Sequence, residues 1–167
     1  LSLSTLTVNI AADDDGTWTY EVEAGSATVT GCLGECPTEL VLPQTISGLM
    51  VANIGDDAFQ QNSLSRITIP EGIKVIGAGA FKGNQLSEVV IPDSVTAIGD
   101  YAFMGNGMES LALGAGLKTI GDYAFGYFLG WGRNHLTEVV IPDNVAEIGE
   151  GAFYWNEIEV LTLGAGL

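Results

Sequence analysis

Apolar residues recur along this chain on a fixed period rather than in isolated runs. The segment I-G-x-x-A-F begins at Ile54, Ile76, Ile98, Ile120 and Ile148, with three intervals of 22 residues and one of 28. Such self-similarity marks a repeat protein whose units bury their faces only against their neighbours. Counted from each Phe, an Asn follows at +3 (Asn62, Asn84, Asn106, Asn156) and apolar residues at +5, +8 and +10, as in Leu64, Ile67 and Ile69. The stretch L-x-x-V-x-I alternates at its end and is rich in β-branched residues, so it predicts a short strand closed by Pro43, Pro70, Pro92 or Pro142. Stacked copies predict a parallel sheet. V-x-x-I-G is expected to turn the chain, and D-x-A-F to form one short helical or 3₁₀ turn with its Phe inside. The expected fold class is an α/β repeat, a β-rich solenoid of parallel strands and short helical turns.

In the fourth unit the register returns six positions late, as Asn134, Leu136, Val139 and Ile141, which places an insertion within residues 126–133. Residues 1–37 break the period and offer three β-rich runs, 6–10, 18–22 and 27–30, separated by Asp-Asp-Asp-Gly and Ala-Gly-Ser turns. They read as an N-terminal antiparallel β cap, since the first coil of the repeats at 38–167 would otherwise expose its core and strand edge. The chain stops at Leu167, four residues past the last predicted strand. An incomplete last repeat, with further repeats or domains after it, is expected.

The register A-F-x-x-N-x-L-x-x-V-x-I-P-x-x-V-x-x-I-G resembles the BspA-like subfamily of leucine-rich repeats, found mainly in bacterial surface and secreted proteins. The resemblance spans roughly residues 38–167. In that subfamily the Asn position is commonly Cys, and either residue suits an inward ladder. The resemblance implies a leucine-rich-repeat solenoid that serves adhesion to host proteins, other cells or surfaces, and is silent about the ligand.

Charge narrows the partners. Twenty-one acidic residues against five basic ones give a formal charge of −16, which repels phosphate backbones and anionic lipid, so nucleic acid is a poor partner. No apolar run reaches the roughly 18 residues of a membrane helix, so no membrane insertion is expected. Cys32 and Cys36 are the only cysteines. C-x3-C lacks the second ligand pair of a structural zinc site, and a local disulfide is the expected state, with two free thiols or metal and redox chemistry as alternatives.

Several polar columns have a structural reading beside a functional one. Inward Asn at a fixed register should bond the backbone of adjacent coils. The acidic column Asp56, Asp100, Asp122 and Glu150 should cap the helical turns, with repeated calcium sites as the competing reading. Asp13-Asp14-Asp15-Gly16 lacks the spaced ligands and closing Glu of an EF-hand, and reads as a solvated loop. His135 is the only histidine, and no nucleophile, phosphate loop or zinc motif accompanies it. No catalysis and no cofactor are expected, calcium being the one ion the acidic columns could hold.

Two surfaces stand out for binding. The insertion carries Tyr127, Phe128, Trp131 and Arg133 between glycines, and Tyr154 and Trp155 follow the next Phe on the same edge. These residue types are enriched at binding hot spots, although the rings could instead pack among themselves to support the loop. The alternative surface is the exposed side of the predicted sheet, with Arg66, Glu88 and Glu138. The expected function is an extracellular, secreted or cell-surface module that binds protein or glycan in adhesion or recognition. The alternative is a structural spacer, or a targeting domain of a larger surface protein or secreted enzyme.

Overall fold

The computed structural model describes residues 8–11, 16–127, 130 and 132–167. It begins with β1 (Val8–Ala11), β2 (Trp18–Glu23) and β3 (Ser26–Cys32), followed by β4 (Glu39–Val41), β5 (Thr45–Ile46) and β6 (Leu49–Ile54). From there each coil contributes two short strands: β7 (Arg66–Thr68) and β8 (Val75–Ile76), β9 (Glu88–Val90) and β10 (Ala97–Ile98), β11 (Ser110–Ala112) and β12 (Thr119–Ile120), β13 (Glu138–Val140) and β14 (Glu147–Ile148), then β15 (Val160–Thr162).

The strands predicted from L-x-x-V-x-I form and pair in parallel, β4 with β7, β9 with β11 and β13 with β15. A second parallel stack was not anticipated. The V-x-x-I segments do more than turn the chain: β6, β8, β10, β12 and β14 run side by side in a nine-stranded sheet that β1, β2 and β3 extend. Apart from β6, each V-x-x-I strand is only two residues long, too short to show alternation, and its partners lie a full coil away. Its following glycine permits the close stacking: a Cβ at Gly77 would stand 2.6 Å from the Asp56 backbone nitrogen. The runs at the N-terminus are antiparallel to one another, and β3 then pairs parallel with β6.

The helical turns, and with them the α/β class, are not borne out. Among the described residues there is no helix; D-x-A-F is a turn whose second residue is left-handed in every coil, at Asp57, Gly79, Tyr101, Tyr123 and Gly151. A left-handed residue stops helix propagation. The freed backbone groups bond between coils instead, with Phe81 N–H donating to Ala102 O at 2.8 Å and Phe103 N–H to Ala124 O at 2.7 Å. The molecule is a β-solenoid.

Its core is a column of rings. Phe59, Phe81, Phe103 and Phe125 are fully buried, and neighbours stack with centroids 5.2 to 5.5 Å apart. Trp18 of β2 meets Phe59 edge-on at 6.3 Å and ends the column. Beside the rings runs the asparagine ladder. Asn134, with no exposed surface, donates to the carbonyls of Phe103 and Phe125 and accepts the N–H groups of Gly107 and Met108. Asn84 repeats the arrangement with Phe59, Phe81, Asn62 and Leu64. Asn84 and Asn134 each satisfy four backbone groups that no strand reaches, and Asn106 and Asn156 three each. Cys32 and Cys36 are joined by a disulfide where β3 leaves the sheet.

Candidate functional site

The acidic column braces coils rather than capping helices, since there are no helices to cap among the described residues. Asp56 Oδ1 accepts the Ala78 N–H at 2.8 Å, Asp100 the Asp122 N–H at 2.8 Å, and Asp122 the Glu150 N–H at 2.7 Å. At another corner Asp93 and Asp143 accept the N–H groups of Ala115 and Ala165. Each carboxylate satisfies a donor of the next coil with a charge-assisted bond. Among the described residues no three His, Cys, Asp or Glu side chains converge as metal ligands. Asp13, Asp14 and Asp15 lie outside the described residues, as do Phe128 and Trp131 of the insertion.

The edge that carries Tyr154 and Trp155 holds more rings than the sequence reading gathered. Tyr101 and Tyr123 stack 5.8 Å apart and 6° from parallel. Tyr154 meets Tyr123 edge-on at 6.1 Å, Trp155 lies 6.2 Å from Tyr154, and Tyr127 of the insertion lies 5.5 Å from Trp155. At the other end Lys82 Nζ stands 5.6 Å from the Tyr101 ring centroid, a cation–π contact. Tyr101, Tyr154 and Trp155 are 40%, 51% and 54% exposed. The signal for the missed pair was present: D-Y-A-F occurs twice, 22 residues apart, so its tyrosines occupy one column.

Backbone geometry sharpens the point. Tyr101, Tyr123 and Trp155 have φ of 59°, 51° and 60°, a left-handed conformation that costs bulky side chains energy and glycine almost none. Other coils place Gly79, Gly151 and Asp57 in the tyrosine column, and Gly83, Gly105 and Gln61 in the column of Trp155. Gly151 also makes room for its neighbour, since a Cβ there would stand 2.6 Å from Tyr123 Cε1. The Glu150 carboxylate beside the Tyr123 hydroxyl, 3.5 Å away, pushes the phenol pKa up, so the ring stays neutral.

The far side of the insertion is tied down. Arg133 Nη2 donates to Glu157 Oε1 at 2.6 Å, and His135 Nδ1 lies 3.0 Å from the same oxygen. The hydrogen bond with His135 holds the Glu157 carboxyl below its ordinary value against the opposing effect of desolvation, with a lesser contribution from the charge of Arg133. Arg133 is therefore an anchor of the loop exit, and the imidazole is engaged with a carboxylate. On the sheet side, Arg66 is 4.0 Å from Glu39, while Glu88 and Glu138 are exposed opposite Ser110 and Val160. The structure brings Tyr127, Tyr154 and Trp155 together and leaves Arg66, Glu88 and Glu138 spread along the strands.

Among the described residues no helix is long and apolar enough to cross a membrane. Among curated protein sequences none matches this chain. Solved structures do. A leucine-rich repeat protein from Bacteroides ovatus superposes with a TM-score of 0.74 at 30% identity, over 87% of this chain and 39% of that one. A leucine-rich repeat protein of T. pallidum superposes with a TM-score of 0.73 at 29% identity, over 87% of this chain and 67% of that one. The pneumococcal vaccine antigen PcpA shares the fold at 16% identity and a TM-score of 0.68, over 98% of this chain and 51% of that one. The chain thus spans well under half of the Bacteroides protein. A family model for the BspA type leucine rich repeat region matches residues 52–167 in six copies, and the chain belongs to that family.

Proposed function

We propose that this chain is a non-catalytic recognition module of a bacterial surface or secreted protein, binding a protein or glycan partner in adhesion through its aromatic edge. One observation carries the reading: bulky rings at Tyr101, Tyr123 and Trp155 occupy left-handed positions that other coils fill with glycine or, at Asp57 and Gln61, with a polar residue. Strain kept at an exposed patch is the pattern of a functional surface, because folding alone would favour glycine there. Stacked, pre-oriented rings also lose little entropy on binding. The Cys32–Cys36 disulfide suits an oxidising compartment and supports the extracellular placement.

The test is affinity for a partner recovered by pull-down or glycan array, measured for the parent protein and for ring variants. Trp155→Ala and Tyr154→Ala are expected to weaken binding by about 2 kcal/mol if they are hot spots, and Trp131→Ala and a loop cut back to the regular period to weaken it as well. Full affinity in all of these would move the site to the sheet face at Arg66, Glu88 and Glu138. A fragment that binds nothing would favour the spacer role.

A further inference from the structure

We propose that the aromatic edge takes the cationic side chains, arginine or lysine, of a basic protein segment. This rests on the edge being the binding surface, and adds what it binds. The chain already shows the chemistry once: Lys82 Nζ lies 5.6 Å from the centroid of Tyr101, at one end of the ring row. The remaining rings, Tyr123, Tyr154 and Trp155, continue that row toward the insertion. The faces of such rings attract a cation through the ring quadrupole, most strongly for Trp.

Charge complementarity selects the occupant. The acidic column runs one residue before the tyrosine column, with Asp100 before Tyr101, Asp122 before Tyr123, and Glu150 against the Tyr123 hydroxyl. With 21 acids and five bases in the chain, its field draws a basic segment in and repels an acidic one. A guanidinium can stack on a ring and bond a carboxylate beside it at once, a pairing that an uncharged sugar would use only in part. The edge therefore favours a basic protein segment over a neutral glycan.

The probe is an acetylated peptide alternating Arg and Gly, set against the same peptide with citrulline, which keeps the shape and loses the charge. A neutral glucose hexasaccharide is the third ligand, and binding is read by tryptophan fluorescence and calorimetry at low and at physiological salt. The Arg peptide should bind, the citrulline peptide at least tenfold more weakly, and the difference should shrink with salt. Tyr154→Ala and Trp155→Ala, which leave net charge unchanged, should each weaken the Arg peptide about tenfold. Glu23→Gln with Glu35→Gln, which removes one charge from β2 and one from the bend between Cys32 and Cys36, should change it less than twofold. Tyr123→Phe keeps the ring and should bind like the parent. Equal binding of the citrulline peptide would overturn the inference, as would a loss that follows charge removal at Glu23 and Glu35 but not ring removal. Hexasaccharide binding at the rings without peptide binding would overturn it too, yet leave the edge as the recognition surface. If no ligand responds to ring removal, both the inference and the edge reading fail.

Discussion

The ring of Tyr123 fills the space that a side chain at Gly151 would need, with an added Cβ only 2.6 Å from its Cε1. Gly151 is also left-handed, at φ 59°. Gly151→Ala should therefore displace the ring and destabilise the fold by about 1–2 kcal/mol. Urea unfolding and the tyrosine fluorescence of the folded protein check the two effects separately.

Phe103 stacks on Phe81 at 5.2 Å and on Phe125 at 5.3 Å, with no exposed surface. Phe103→Ala removes a ring from the middle of the column and should cost about 3–5 kcal/mol. Ser87→Ala and Thr137→Ala, at exposed positions, should each change stability by less than about 0.5 kcal/mol. A Phe103→Ala protein that melts like the parent would contradict the register described above.

Asn134→Leu keeps a similar volume but deprives two carbonyls and two N–H groups of their partners. Each buried orphan costs about 1–3 kcal/mol, so the loss should reach about 3 kcal/mol or more even after relaxation. Because Asn134 is where the insertion rejoins the solenoid, hydrogen exchange should accelerate first at Gly107 and Met108.

Glu157 is held below its ordinary value of 4.5, chiefly by its hydrogen bond to His135. Its folded form binds fewer protons than its unfolded form, so its contribution is complete above the unfolded pKa and disappears as pH falls through the folded one. Comparison of the parent with Glu157→Gln should show a stability difference near neutral pH that closes in the acid range. A gap unchanged down to strong acid would remove the ionic tether from the account.

Acidic side chains recur in successive coils about 5 Å apart, and their repulsion is screened by salt. Melting temperature should rise with ionic strength. Calcium and magnesium at equal ionic strength should give coincident curves, since the column carboxylates already accept backbone N–H groups. A calcium-specific rise would revive ion sites along the column.

How much of this was legible beforehand differs by residue. The buried Phe and Asn columns and the strands Arg66–Thr68 and Glu88–Val90 follow from periodicity, because each position meets its own copy in the next coil. Val75–Ile76 and its counterparts stayed hidden, being strands only through partners a coil away. The D-x-A-F turns misled for the same reason. Locally they look like a helix start, but the N–H groups of the left-handed residue and of the Phe bond to the neighbouring coil, and only the Ala N–H bonds within the turn. Tyr127, Tyr154 and Trp155 could be grouped on one edge from the register, whereas Tyr101 and Tyr123 escaped notice because one variable position in a repeat does not advertise its column.

The repeat length, the interior residues and the place of the insertion were decided by sequence alone, since a solenoid maps period directly onto position. The handedness of the turn residues, the second sheet and the role of the carboxylates were decided by tertiary structure. Each depends on where a backbone N–H finds its acceptor, and in this fold that acceptor belongs to another coil.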